Sequence, residues 1–198
     1  MKLLKLLGGF VIVAIVIGAI ASSGGGDTAS TDSQGKAESA KTESKSFDLE
    51  DIFNTDLSGN DGAVSRAKSY LKTMPFSLEG LSKQLEFEGF SEEEAKYGAE
   101  NCGANWKEQA VKKAKNYLDT MAFSADGLEK QLKFEGFTKD EAKHGVENCG
   151  ANWNEQAVKK AESYLDIYPN WSKKQLVDQL EFEGFTEDEA EYGANNCN

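Results

Sequence analysis

The chain states nearly the same message three times, and this recurrence limits its fold more than any other feature. "QLEFEGFSEEEAKYGAENC" begins at Gln84, "QLKFEGFTKDEAKHGVENC" at Gln131 and "QLEFEGFTEDEAEYGANNC" at Gln179. Upstream of these, Tyr70, Tyr117 and Tyr164 stand 47 residues apart. The third copy holds one extra residue around "IYPNW", so its second half lags by 48. A period in this range belongs to arrays of small supersecondary units, none of which buries its apolar face well alone.

Each unit reads as three helices. Ser77, Ser124 and Ser172 precede apolar-periodic segments as N-caps. Phe76, Phe123 and Trp171, one residue earlier, are placed to staple onto Leu81, Leu128 and Leu176. Further on, Ser91 with Glu94, Thr138 with Glu141 and Thr186 with Glu189 have capping-box spacing. Gly89, Gly136 and Gly184 stand where a left-handed residue would close the preceding helix. A short glycine turn between two helices gives a helix-turn-helix unit. The fold class is therefore all-α, with repeats expected over 58–104, 105–151 and 152–198.

"NCGANW" occurs at Asn101 and again at Asn148. Gly103 is expected to end the third helix of one repeat, and Asn105 to cap the first helix of the next with Glu108 three residues on. Asn152 and Glu155 match them. Three repeats have two boundaries and the stretch occurs twice, so it reads as a joint.

The N-terminal part has a different character. Residues 1–21, "MKLLKLLGGFVIVAIVIGAIA", place Lys2 and Lys5 ahead of an uncharged apolar run. The run is close to the length that spans a bilayer, which favours a transmembrane anchor. Ala19-Ile20-Ala21 also fits a signal-peptide cleavage site, after which the chain would be secreted. Positive residues on the short side place that end in the cytoplasm and the repeats outside the cell. Residues 22–57 form an acidic linker whose first 25 residues lack any aromatic or large aliphatic side chain. Such a stretch cannot offset its ordering entropy and is expected to be a flexible tether with a reach of about 25–30 Å. "FDLEDIFNTDL", from Phe47, has apolar content and is left open between linker and docked segment.

Charge narrows the function. The net charge is −12. Residues 107–153 carry eight lysines against eight carboxylates, whereas residues 154–198 carry four against ten. Nucleic-acid binding needs cations to displace phosphate counterions, so this surface argues against it and points to a basic protein partner. Glu181, Glu183, Glu187, Asp188, Glu189 and Glu191 crowd one span of the third unit without a lysine. Two readings stand beside each other: a partner site, or a solvated face that keeps the terminal repeat soluble. Trp171, where the other copies have phenylalanine, is either a wider staple or an exposed anchor.

Catalysis and metal binding find little support. Cys102 follows Ala95 and Ala99 at helical spacing, and Cys149 follows Ala142 and Val146, so the thiols are expected to pack as small apolar residues. Cysteines 47 residues apart lack the close spacing of zinc ligands. His144 is the only histidine and takes a place held by Tyr97 and Tyr192 in the other copies. No nucleophile stands beside a base. Neither an enzyme nor a cofactor is expected.

At the "QLxFEGF[ST]xxEAxxG" core, the following "NC" and the "GANWxEQA" joint, the sequence resembles the Ltp family, the host cell surface-exposed lipoproteins of Gram-positive bacteria and their prophages. The resemblance covers about residues 58–198. It implies helix-turn-helix repeats tethered at the outer membrane face, acting in superinfection exclusion. Family members block DNA entry by an incoming phage through an acidic repeat that engages the phage tape-measure protein. Carried over, the contact surface would be the acidic third unit. The family's lipid-attachment cysteine has no counterpart after the apolar run, so anchoring is expected through the helix itself. The alternative is a general protein-interaction module of the cell envelope with no phage role.

Overall fold

A computed structural model describes residues 58–198. The expected membrane segment and linker lie outside the described residues. Nine helices follow: α1 (Gly59–Thr73), α2 (Leu78–Phe87), α3 (Glu92–Asn101), α4 (Trp106–Thr120), α5 (Ala125–Phe134), α6 (Lys139–Asn148), α7 (Trp153–Ile167), α8 (Lys173–Phe182) and α9 (Glu187–Asn196). They group into three repeats of one 15-residue and two 10-residue helices.

The helix starts obey local hydrogen-bond chemistry. Ser77, Ser124 and Ser172 accept from the backbone three residues ahead. Ser91–Glu94, Thr138–Glu141 and Thr186–Glu189 form reciprocal capping boxes. Asn105 and Asn152 also cap, accepting from the Glu108 and Glu155 amides. Here the expected box is altered: each glutamate binds the asparagine side-chain amide instead of its backbone.

The α2–α3 turn is a Schellman closure. Gly89 N–H donates to Glu86 O and Phe90 N–H to Leu85 O, with Gly89 at φ +102°. Gly136 and Gly184 repeat this at +87° and +92°. The positive φ explains why all three copies keep glycine here.

Small residues let the first and third helices of each repeat approach closely. Ala63, Ala67, Ala95 and Ala99 are fully buried between α1 and α3. A Cβ on Gly98 would lie 2.7 Å from the Ala63 carbonyl carbon, so only hydrogen fits at that crossing. Gly145 over Ala110 and Gly193 over Ala157 repeat the contact. Leu81 and Leu85 of α2 close the core, which takes in Cys102 and, beyond the boundary, Ala104 and Trp106. Trp153 likewise packs on the second core. Each boundary tryptophan thus opens a helix of one repeat while its ring seals the repeat before it. The "CGANW" stretch is a joint.

Candidate functional site

Three features decide which surfaces remain free to meet a partner: a tie inside each repeat, a junction between repeats, and the departures of the third copy.

The tie joins the first helix of a repeat to the end of its second. Tyr70 donates its hydroxyl to Glu88 and accepts from Gln84 Nε2 at 3.1 Å, while Arg66 Nε lies 2.9 Å from Glu88 Oε2. Tyr117, Gln131, Lys113 and Glu135 repeat it, as do Tyr164, Gln179, Lys160 and Glu183. A carboxylate at a helix C-terminus faces the negative end of the macrodipole. The cation and the phenol offset that repulsion. Burial, reinforced by the Glu183 carboxylate, pushes the Tyr164 phenol well above its ordinary range.

The junction uses the helix ends that the turn glycines leave bare. Ser77, 2% exposed, caps α2 and also donates its hydroxyl to Glu135 O of the next repeat at 2.5 Å. Ser124 does the same to Glu183 O at 2.6 Å. A Cβ on Gly136 would meet Glu79 Cβ at 2.9 Å and Ser77 Oγ at 3.0 Å of the repeat before it. Gly80 and Gly127, at the third position of α2 and α5, leave room for the incoming carbonyls, 3.4 Å from where their Cβ would stand.

The third repeat departs from the other two at the positions that make this junction. Gln175 stands where Gly80 and Gly127 stand, and it completes a capping box with Ser172, which is exposed. Lys174 replaces Glu79 and Asp126 and pairs with Asp178 at 2.8 Å, which raises its pKa. At the other end, a Cβ on Gly89 would meet nothing within 4 Å. Phe90 is only half-buried there, while Phe137 and Phe185 are 3% and 4% exposed. Among the described residues no neighbouring repeat covers the Gly89 turn, and Gln175 completes the cap of the α8 start from within its own repeat.

Against this frame the acidic residues of the third repeat divide. Glu183 is committed to Tyr164 and Lys160. Glu189 is committed to the capping box, accepting the Thr186 amide at 2.9 Å. Glu181, Glu187, Asp188 and Glu191 face solvent around one turn. Trp171 is half-buried on the third core and stacks on Tyr164 and Tyr168, with centroids 5.3 and 4.7 Å away. In the other repeats Phe76 and Phe123 meet Tyr70 and Tyr117 edge-on at 5.6 Å. Tyr168 stands where Met74 and Met121 cap the first helix of the other repeats, and the extra residue follows it, so Trp171 is a wider staple held in an aromatic stack.

Cys102 and Cys149 are buried free thiols donating to carbonyls three residues back, at 3.1 Å; Cys197 is half-buried. His144 is half-exposed, beside Asn148 at 3.3 Å. Gln109 and Gln156, in the first turn after each joint, bury a side-chain oxygen that has no hydrogen-bond partner among the described residues. Neither the tie nor the junction was expected from the sequence. The recurrence of Tyr, Gln and Glu at matching places, and of glycine at Gly80 and Gly127 but not at Gln175, were the signals available.

The sequence profile of the family described as "Host cell surface-exposed lipoprotein" (Lipoprotein_Ltp) matches residues 59–101, 105–149 and 152–197, one match per repeat and together more than half of the chain. The chain belongs to this family. A solved structure, "Structure of Ltp, a superinfection exclusion protein from the Streptococcus thermophilus temperate phage TP-J34", is 36% identical; the alignment covers 48% of this chain and 98% of that one, with a TM-score of 0.46. No curated protein matches the chain. Among the described residues no helix is long and apolar enough to cross a membrane.

Proposed function

We propose that this protein is an exclusion factor that works by contact. Held at the outer face of the cell membrane by its N-terminal segment, it meets a basic protein of an incoming phage with its third repeat and stops DNA entry. The observation that carries the reading is membership of the surface-exposed lipoprotein family through all three repeats. The free carboxylates of Glu181, Glu187, Asp188 and Glu191 support it, since a single-sign surface raises the encounter rate with a basic partner. By the family resemblance such a partner would be the phage tape-measure protein.

The test is expression of the full chain in a phage-sensitive Gram-positive host, scoring adsorption, DNA entry and plaque number separately. Normal adsorption with blocked DNA entry and fewer plaques is the expected result. Unchanged plating across a phage panel, with an envelope phenotype on deletion, would instead favour a general surface interaction module.

A further inference from the structure

We infer that Phe182 is the apolar anchor of the third repeat's contact surface, and that it receives a basic amphipathic segment of a partner protein. This rests on the third repeat being the contact surface and adds the residue that would hold the partner in place.

Phe182 ends α8 and is 86% exposed. The fold does not use its ring. The Schellman turn is closed by Phe185, whose amide donates to Leu180 O and whose side chain is buried in the core. The other copies place Phe87, 87% exposed, and Phe134, 63% exposed, at the same position. The neighbour just before it changes from Glu86 to Lys133 to Glu181 while the phenylalanine stays. Single exposed apolar residues are ordinary, but the first and third copies both leave this ring almost wholly in solvent.

Charge separates the third ring from the others and points to the kind of partner. Phe87 shares exposed acids at Glu86, Glu92 and Glu93, but Lys83 and Lys96 hold the places that Asp178 and Glu191 take in the third repeat. Phe134 is followed across its turn by Lys139 and preceded by Lys133. Phe182 has Glu181 before it and Glu187 and Asp188 across the turn, all exposed. Glu181 sits in the last turn of α8, where helix carbonyls already carry negative charge, and only Lys174, itself paired with Asp178, attracts it. An exposed ring beside exposed carboxylates matches a partner that offers an apolar side chain beside arginine or lysine. An arginine there can lie on the ring face while its guanidinium reaches a carboxylate. Such rings typically dominate binding once surrounding polar contacts exclude water.

The experiment compares full-length wild type, Phe182→Ala and Phe134→Ala. Each is purified in detergent and titrated with a synthetic amphipathic leucine–arginine helix, and each is scored for phage plating in cells. Far-UV melting checks the fold. The expected result is that Phe182→Ala weakens peptide binding at least about tenfold and removes protection with the melting temperature unchanged, while Phe134→Ala stays within about twofold. Equal binding by Phe182→Ala and wild type overturns the inference. So does an equal loss in both variants, which marks general stickiness, and so does no binding by wild type. If wild type protects and Phe182→Ala protects equally, the anchor fails while the exclusion reading stands. If wild type does not protect, the exclusion reading fails, and the peptide titration still decides the anchor.

Discussion

Gly89 and Gly136 offer a matched pair that isolates the junction between repeats. Both close the second helix of their repeat at positive φ, +102° and +87°, so replacing either with alanine imposes a comparable backbone strain of about 1–2 kcal/mol. Their surroundings differ. At Gly89 the new methyl meets nothing within 4 Å, while at Gly136 it would stand 2.9 Å from Glu79 Cβ and 3.0 Å from Ser77 Oγ. Neither neighbour is free to retreat, because Ser77 is held by the Gly80 amide and by Glu135 O. Forcing a methyl into such a contact typically costs a further ~1–3 kcal/mol. Gly136→Ala should therefore melt roughly 2–12 °C below Gly89→Ala, at ~2–4 °C per kcal/mol for a domain near this size. Circular dichroism melts of the two full-length variants give the comparison directly. Equal melting temperatures would show that the α2–α5 junction contributes nothing, leaving the tryptophan joint as the sole inter-repeat contact of consequence.

Other outcomes follow from the same contacts. Trp106→Ala and Trp153→Ala, each removing a half-buried ring from the core of the preceding repeat, should cost about 2 kcal/mol, below the 3–5 typical of fully buried aromatics. Urea unfolding measures the loss, and small-angle scattering should show a looser array. Tyr164 titrates above an unfolded phenol, so its stabilisation is complete below about pH 10 and is lost as pH rises towards the folded value. An alkaline melting series should decline less steeply for Tyr164→Phe than for wild type; parallel curves would show that the tie carries no linkage.

Local chemistry made most of the fold legible. Ser91 with Glu94, or Phe76 beside Ser77, satisfies helix-start amides within four residues, so the sequence alone exposes them. The boundary role of Trp106 was also readable, since its stretch occurs only where two repeats meet. The junction was hidden for a physical reason: Ser77 already had a complete local role as a cap, and its second bond goes to a carbonyl 58 residues away. Glu183 misled similarly. In the sequence it is one more acid in an acidic run, and only the packing of α7 against α8 reveals Tyr164 and Lys160 on either side of it. Trp171 was readable as a staple, but Tyr168 as its stacking partner depended on how the inserted residue bends the connection.

The central claim is that protection comes from contact with the free acids of the third repeat. Its most direct test replaces Glu187, Asp188 and Glu191 with lysine in the full-length, membrane-tethered chain and measures phage DNA entry. The Glu187 and Asp188 changes in the first turn of α9 should cost only ~0.3–1 kcal/mol each through the macrodipole, and Glu191 beyond that turn less, so the variant should remain folded in a melting control. The account predicts DNA entry at the level of cells lacking the protein. A folded, surface-displayed variant that still blocks entry as fully as wild type would contradict it.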